Sequence, residues 1–152
     1  MKTIYLINGP NLNLLGKRNP VVYGKETLEI VVKLVTAEAR KLGYVIEALQ
    51  SNYEGQLIDW IQETSGKVAG IILNAGGLTH TSVSLRDAVD FAREQGVPTI
   101  EVHLSDIHKR ETFRHISFLT EVCINQISGL GYQSYIQGLF KLVKHLEVIN
   151  SG

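Results

Sequence analysis

Short apolar runs alternate with amphipathic stretches from one end of the chain to the other. The runs are Thr3–Ile7, Tyr44–Leu49, Ala69–Leu73, Thr99–Val102 and Val122–Ile127. They are rich in Val, Ile and Leu and lack strict apolar–polar alternation, the pattern of strands covered on both faces. Helical spacing fills the gaps between them. Leu28, Val31, Val32, Val35 and Ala39 recur at i, i+3 and i+4, and Gly43 supplies a stop. Ser51-Asn52-Tyr53-Glu54 reads as a capping box ahead of Leu57, Ile58 and Ile61. Ser82 reads as the cap of a helix through Leu85, Ala88, Val89 and Ala92, which Gly96-Val97-Pro98 ends. A last helix is predicted from about Gln133 to Val148, and Trp60 and Phe91 fall on helical core positions.

Five strand–helix units in this order predict an α/β fold, with a parallel sheet and helices on both faces. Right-handed crossovers make a flavodoxin-like doubly wound five-stranded sheet the simplest topology. A length of 152 residues fits one domain, spanning 1–152. One segment breaks the rhythm. From Asn8 to Lys25 the chain is loop-like, with Gly9, Pro10, Gly16, Pro20 and Gly24. A connection of that length in a compact domain is usually functional, and a lid at about 16–25 is the expectation.

Composition narrows the function classes. Fifteen basic residues balance fifteen acidic ones, so the global field recommends no nucleic acid or other polyanion as a partner. Cys123 is alone, which excludes an intramolecular disulfide and is compatible with a reducing compartment; it is expected in the core. The first apolar run is too short for a signal peptide, and no stretch has the length of a membrane span. The cytosol is the expected location, with no membrane association.

In a doubly wound sheet, ligands bind outside the carboxyl ends of the strands. Those ends carry Asn8-Gly9-Pro10-Asn11, Asn74-Ala75-Gly76-Gly77, Glu101-Val102-His103-Leu104-Ser105 and Ser128-Gly129. Glu101 and His103 are two apart on a strand, so they point to one face. A carboxylate beside an imidazole fixes its tautomer and favours the protonated form, which suits a general acid. The alternative is a surface ion pair. Arg18 and Tyr23 share the expected lid. A free phenol has a pKa of about 10, and a nearby guanidinium stabilises the phenolate. The alternative is a solvated Arg beside a Tyr that packs the loop.

The stretch Asn74 to Ser82 joins a strand to a helix, and its glycines and helix start fit an anion or hydroxyl site. Turn and cap chemistry alone would account for its Gly and Ser but not for Asn74 or His80. Arg110 and Arg114 would share a face if helical and could read an oxygen-rich ligand. For Arg110 a solvated basic face balanced by Glu111 is the expected reading. No Walker A pattern is present, and Gly129-Leu130-Gly131 lacks the third glycine of a dinucleotide fingerprint. His80, His103, His108 and His115 are not supported as metal ligands by a HExxH or a Cys cluster, so no metal is expected. A flavin module would need a phosphate-cradling Ser/Thr loop where Asn-Gly-Pro-Asn stands, and a receiver domain would need acids where Asn8 and Asn74 stand.

Asn8-Gly9-Pro10-Asn11-Leu12, Gly16-Lys17-Arg18, Pro20 and Tyr23-Gly24 closely resemble the signature of type II 3-dehydroquinate dehydratases. Gln50-Ser51-Asn52, Asn74 to Leu85 with Arg86-Asp87, and Ile100 to Ser105 match as well, so the resemblance covers nearly the whole chain. It implies dehydration of 3-dehydroquinate through an enolate, without a Schiff base, metal or organic cofactor. Tyr23 is then the proton acceptor and His103 the proton donor. Arg18 stabilises the transition state, and Asn11 helps hold a water against the enolate. Asn74 and the backbone at Leu104 and Ser105 bind the substrate and its carboxylate. His80, Asp87 and Arg114 bind ring hydroxyls. The resemblance also implies a homo-dodecamer, a tetramer of trimers, in which Asp87 reaches a neighbouring subunit's site. Position 19 departs from the pattern: Asn19 stands where Glu, Gln or Asp usually precedes the proline.

Overall fold

The computed structural model describes residues 1–151. Five strands form one parallel sheet: β1 (Lys2–Asn8), β2 (Tyr44–Gln50), β3 (Gly70–Asn74), β4 (Thr99–His103) and β5 (Gln126–Ser128). Their spatial order is β2-β1-β3-β4-β5. The helices are α1 (Pro20–Tyr23), α2 (Leu28–Lys41), α3 (Glu54–Gln62), α4 (Val83–Glu94) and α5 (Gln133–Ser151).

The non-alternating apolar runs of β1, β3 and β4 arise because both sheet faces are covered there, whereas the edge strand β2, expected to be covered on both faces, is largely exposed. Ile4 and Leu6 of β1 pack in one cluster with Val31 and Val35 of α2 and Leu139 and Leu142 of α5. Tyr5 and Ile7, pointing the other way, pack with Leu57 and Ile61 of α3 and Leu85 and Val89 of α4. All four of these β1 residues are fully buried, and each large aliphatic side chain so placed contributes about 1.5–3 kcal/mol of transfer free energy. Glycine permits one close approach that fixes α5 on the sheet: a Cβ at Gly138 would lie 2.6 Å from Val102 Cγ1. A larger residue there would lift the helix.

Several sequence expectations are corrected. The fifth strand is shorter than Val122–Ile127. Thr120–Val122 forms a 3-10 turn instead, and Val122 is apolar because it packs on the second cluster. Ser51 is not a helix cap. Its Oγ accepts from the Tyr53 backbone N–H at 3.0 Å, tightening the turn before α3, whose first flanking residue is Tyr53. Phe91 is 43% exposed and is no core residue, whereas Trp60 packs partly buried against the second cluster. Cys123 also packs against that cluster, and burial pushes its thiol pKa up. Ser82 does cap α4, accepting from Leu85 N–H at 2.9 Å. The expected loop from Asn8 to Lys25 contains a 3-10 turn at Leu12–Leu14 and the short helix α1. Among the described residues no helix is long and apolar enough to cross a membrane.

Candidate active site

The chain winds outward from β1 to β2 in one direction and from β3 to β5 in the other, so the crevice opens where β1 and β3 end. Their last residues, Asn8 and Asn74, are register partners. Gly9 lets the two chains stay together beyond the sheet, since a Cβ there would meet the Ala75 carbonyl oxygen at 2.5 Å. The Tyr135 hydroxyl, fully buried on α5, bridges the two amides beneath the crevice. It donates to Asn8 Oδ1 at 2.5 Å and accepts from Asn74 Nδ2 at 2.9 Å. Asn74 Oδ1 accepts from Gly76 N–H at 3.1 Å, which turns the chain over the crevice.

Asn11 is the single non-glycine residue with positive φ among the described residues, at 72°. Its N–H donates to Asn52 Oδ1 at 3.0 Å, while Gln50 Nε2 donates to the Gly9 carbonyl at 3.2 Å. The Gln50-Ser51-Asn52 motif is thereby explained: β2 buttresses the loop that carries Asn11. Strain held by surrounding contacts is a recurrent property of functional loops.

The short helix α1 presents Tyr23. Asn19 caps α1 by accepting from Val21 N–H at 3.1 Å, Pro20 occupies the first helical position, and Gly24 ends the helix at φ 85°. Two guanidiniums attend the phenol. Arg18 Cζ lies 4.3 Å from the ring centroid, and Arg110 Nη2 donates to the Tyr23 hydroxyl at 2.9 Å. Arg110 Nη1 donates in turn to Ser105 Oγ at 3.0 Å. The planar fork therefore ties α1 to the loop after β4, a geometry an ammonium does not reproduce.

On β4 the spacing of two does what it predicts. Glu101 and His103 share a face, and His103 Nε2–H donates to Glu101 Oε2 at 2.5 Å. Glu101 is 0% and His103 6% exposed. Burial pushes the Glu101 carboxyl up. The hydrogen bond and charge of His103, with the hydroxyls of Ser117 and Thr120, outweigh it, and the net position is below the ordinary carboxylate value. Because Nε2–H is committed to the carboxylate, Nδ1 is the ring nitrogen free to exchange a proton with a ligand.

Tyr23, Arg18, Asn11, Asn74, His103, Leu104, Ser105 and Arg114 line one cavity of about 140 Å³. An apolar cavity of about 150 Å³ holds one benzene, so this volume suits a single six-membered ring. Glu101 stands behind His103 and does not line the cavity. His80 also lies outside the lining: its Nδ1–H donates to the Ile116 carbonyl at 2.8 Å, and burial, with the positive charges of His103 and Arg114, holds its pKa below the ordinary imidazole value. Asp87 is exposed on α4, away from this chain's own cavity.

Arg110 is the principal residue the sequence reading misjudged. Its Nε does pair with Glu111 Oε1 at 3.4 Å, but its side chain is 19% exposed rather than solvated: it lines the cavity, and its guanidinium reaches Tyr23 across 87 positions of sequence. The segment carrying it is not one helix. Two 3-10 turns, Ile107–Lys109 and Thr112–Arg114, bring both Arg110 and Arg114 to the cavity. Ser117, Thr120 and Gln126 around Glu101 were missed as well, and no local spacing marks them. Among the described residues no group of three or more His, Cys, Asp or Glu side chains is placed to hold a metal.

A doubly wound sheet that gathers a phenol, three guanidiniums and a buried imidazole–carboxylate pair at its strand ends is the arrangement of an enzyme site, suited to acid–base work on a small anion. Residues 2–143 match the family described as dehydroquinase class II. A 3-dehydroquinate dehydratase of Nostoc sp. is 53% identical over 145 residues, covering 95% of this chain and 97% of that protein. The crystal structure of a type II dehydroquinase from Butyrivibrio crossotus superposes with a TM-score of 0.89 at 41% identity, covering 93% of this chain and 97% of the other. One from Propionibacterium acnes gives 0.87 at 32% identity over 95% and 97%. The chain belongs to the class II dehydroquinase family.

Proposed function

We propose that this chain dehydrates 3-dehydroquinate to 3-dehydroshikimate through an enolate, with Tyr23 as base and His103 as acid. The single observation that carries the reading is the meeting of two unlike proton carriers on one ring-sized cavity. A phenol oxygen held by the Arg110 guanidinium lines it with an imidazole backed by a buried carboxylate.

The substrate is a β-hydroxy ketone with a carboxylate. Arg18, Arg110 and Arg114 give the cavity three cationic groups, and no acidic side chain lines it, which suits that anion. A Tyr23 phenolate, stabilised by Arg18 and Arg110, takes the proton beside the ketone. The electron pair moves onto the carbonyl oxygen, where Asn11 and a bound water would stabilise the enolate. The enolate collapses, the carbon–oxygen bond to the β-hydroxyl breaks, and the leaving oxygen takes the Nδ1 proton of a His103 imidazolium. Water and the enone are formed. His103 is left as the neutral ring with its proton on Nε2, facing Glu101. A proton passed from Tyr23 through solvent to His103 resets the site. No bond to a lysine is required, and no metal or organic cofactor takes part.

Residues 16–25 act as the lid in this reading, because α1 buries no residue and is tied down mainly through Tyr23. Asn74 and the backbone at Leu104 and Ser105 take the carboxylate, and His80 and Arg114 the ring hydroxyls. The working form is a cytoplasmic homo-dodecamer, a tetramer of trimers. Asp87 then serves a neighbouring subunit's site, which agrees with its exposure on α4 away from this chain's cavity.

Incubation with 3-dehydroquinate should produce the enone absorbance of 3-dehydroshikimate. Borohydride added with substrate should leave the activity intact, since there is no imine to reduce. Absence of enone would refute the reaction, and irreversible loss on reduction would refute the enolate route.

A further inference from the structure

Among the described residues Glu101 pairs with no basic side chain except His103, and it is completely buried. Something else must hold its charge, because an isolated buried carboxylate is strongly disfavoured. The structure supplies three neutral donors. Ser117 Oγ donates to Oε2 at 2.7 Å, and Thr120 Oγ1 donates to Oε1 at 2.7 Å. Gln126 Nε2 donates to Oε2 at 3.2 Å and to Thr120 Oγ1 at 3.0 Å. Both carboxylate oxygens are thus occupied, and one amide locks a hydroxyl to the acid. The arrangement follows from the sheet. Gln126 is the register partner of Glu101 in the β4–β5 pair, and the 3-10 turn Thr120–Val122 lies just before β5.

We propose that Thr120 and Gln126 are positioning residues for His103: they fix the Glu101 carboxylate so that the ring keeps its proton on Nε2 and turns Nδ1 to the substrate. This rests on the assignment of His103 as acid. The three residues of β5 are then more than an edge strand. Gln126 comes from that strand, and Ser117 and Thr120 come from the connection leading to it. Besides His103 on β4, the titratable groups that feel Glu101 are His80 after β3 and Cys123 after the Thr120–Val122 turn. Burial lowers the His80 pKa and raises that of Cys123, so neither gains charge from its surroundings, and His103 with the hydroxyl donors opposes the desolvation of the acid.

The test is the full-length double variant Thr120→Val with Gln126→Leu, with Thr120→Ser as the conservative control. Thr120 lies largely at the surface and Gln126 is half-buried, and Thr120→Val alone serves if the double variant does not fold. Loss of hydrogen bonds to a charged group predicts a fall in kcat of about ten- to a hundredfold. KM should stay near the wild-type value, and the acidic limb of the kcat–pH profile should move upward. Nitrogen-15 NMR of the His103 ring should change from a single Nε2–H tautomer to a mixture, and Thr120→Ser should restore both signals. Folded variants with wild-type kcat, pH profile and ring spectrum would overturn the proposal. A wild-type protein that fails to turn over 3-dehydroquinate would refute the dehydratase reading instead, and the ring spectra would still judge the positioning role.

Discussion

The two halves of the site are built in opposite ways. His103 stands at the end of a central strand, almost fully buried, with its carboxylate partner held by four donors. Tyr23 stands on a four-residue helix that buries none of its residues and is fixed by a cap at one end and by contacts of the phenol with Arg110 and Arg18. The proposed acid is preorganised by the fold. The proposed base sits on a segment whose docking depends on the very groups that would activate it. If residues 16–25 move as the proposed lid, this coupling has a chemical merit: the phenol would meet both guanidiniums only on closure, with water excluded.

The comparison can be broken most directly at the lid. Tyr23→Phe removes the proposed base and should lower kcat by about 10²–10⁴-fold, the usual worth of one general acid–base group. The melting temperature should stay within error, because the hydroxyl meets only Arg110. Arg110→Met is the next largest. It removes the bond to Tyr23 and the tie to Ser105, and about a hundredfold loss in kcat/KM is expected from a lost charge-assisted bond in the transition state. Arg110→Lys should recover only part of that, as should Arg18→Lys relative to a neutral residue, because the planar fork is missing. Wild-type kinetics in either lysine variant would show that charge alone holds the lid.

On the strand side, the effect should appear in stability as well as rate. Glu101 is held below its ordinary value of about 4.5, so the folded state binds its proton less readily than the unfolded chain. Its contribution is therefore complete above the unfolded value and is lost as pH falls through the lower folded one. Acid unfolding of the wild type should include this loss. In Glu101→Gln that component should vanish, and the remaining cost at neutral pH should be about 1–3 kcal/mol from mismatched buried donors. A wild-type slope of stability against pH in the acid range would contradict the assignment. Smallest is Asn19→Ala. The cap is worth about 1 kcal/mol to α1, which should raise KM a few-fold without moving the global melting temperature. Asn19→Asp should restore it, since a carboxylate also accepts from Val21 N–H.

Much of this was legible in the sequence for local reasons. The run Thr3–Ile7 announced a doubly covered strand, and Ser82 announced its helix. Glu101 and His103 could be paired from spacing alone, since two residues on a strand must share a face. Periodicity misled where an apolar residue served something other than a ladder, as Val122 does in its turn, and where a helix face was left open, as at Phe91. The expected partner Glu111 does sit beside Arg110, but no local pattern announces that the same guanidinium also reaches Tyr23, 87 positions away.

The sequence by itself determined the sheet, its order of helices, the switch-point crevice and the nearest-neighbour pair on β4. These follow from short-range rules: alternation of side chains, helix caps, and glycine where two backbones touch. The tertiary structure alone decided that Arg110 would grip Tyr23 and that Thr120 and Ser117 would join Gln126 around Glu101. Those outcomes depend on how the irregular connections carrying Arg110, Ser117 and Thr120 fold back over the strand ends. No period constrains such segments, and their partners are set by the shape of the space that the regular elements leave.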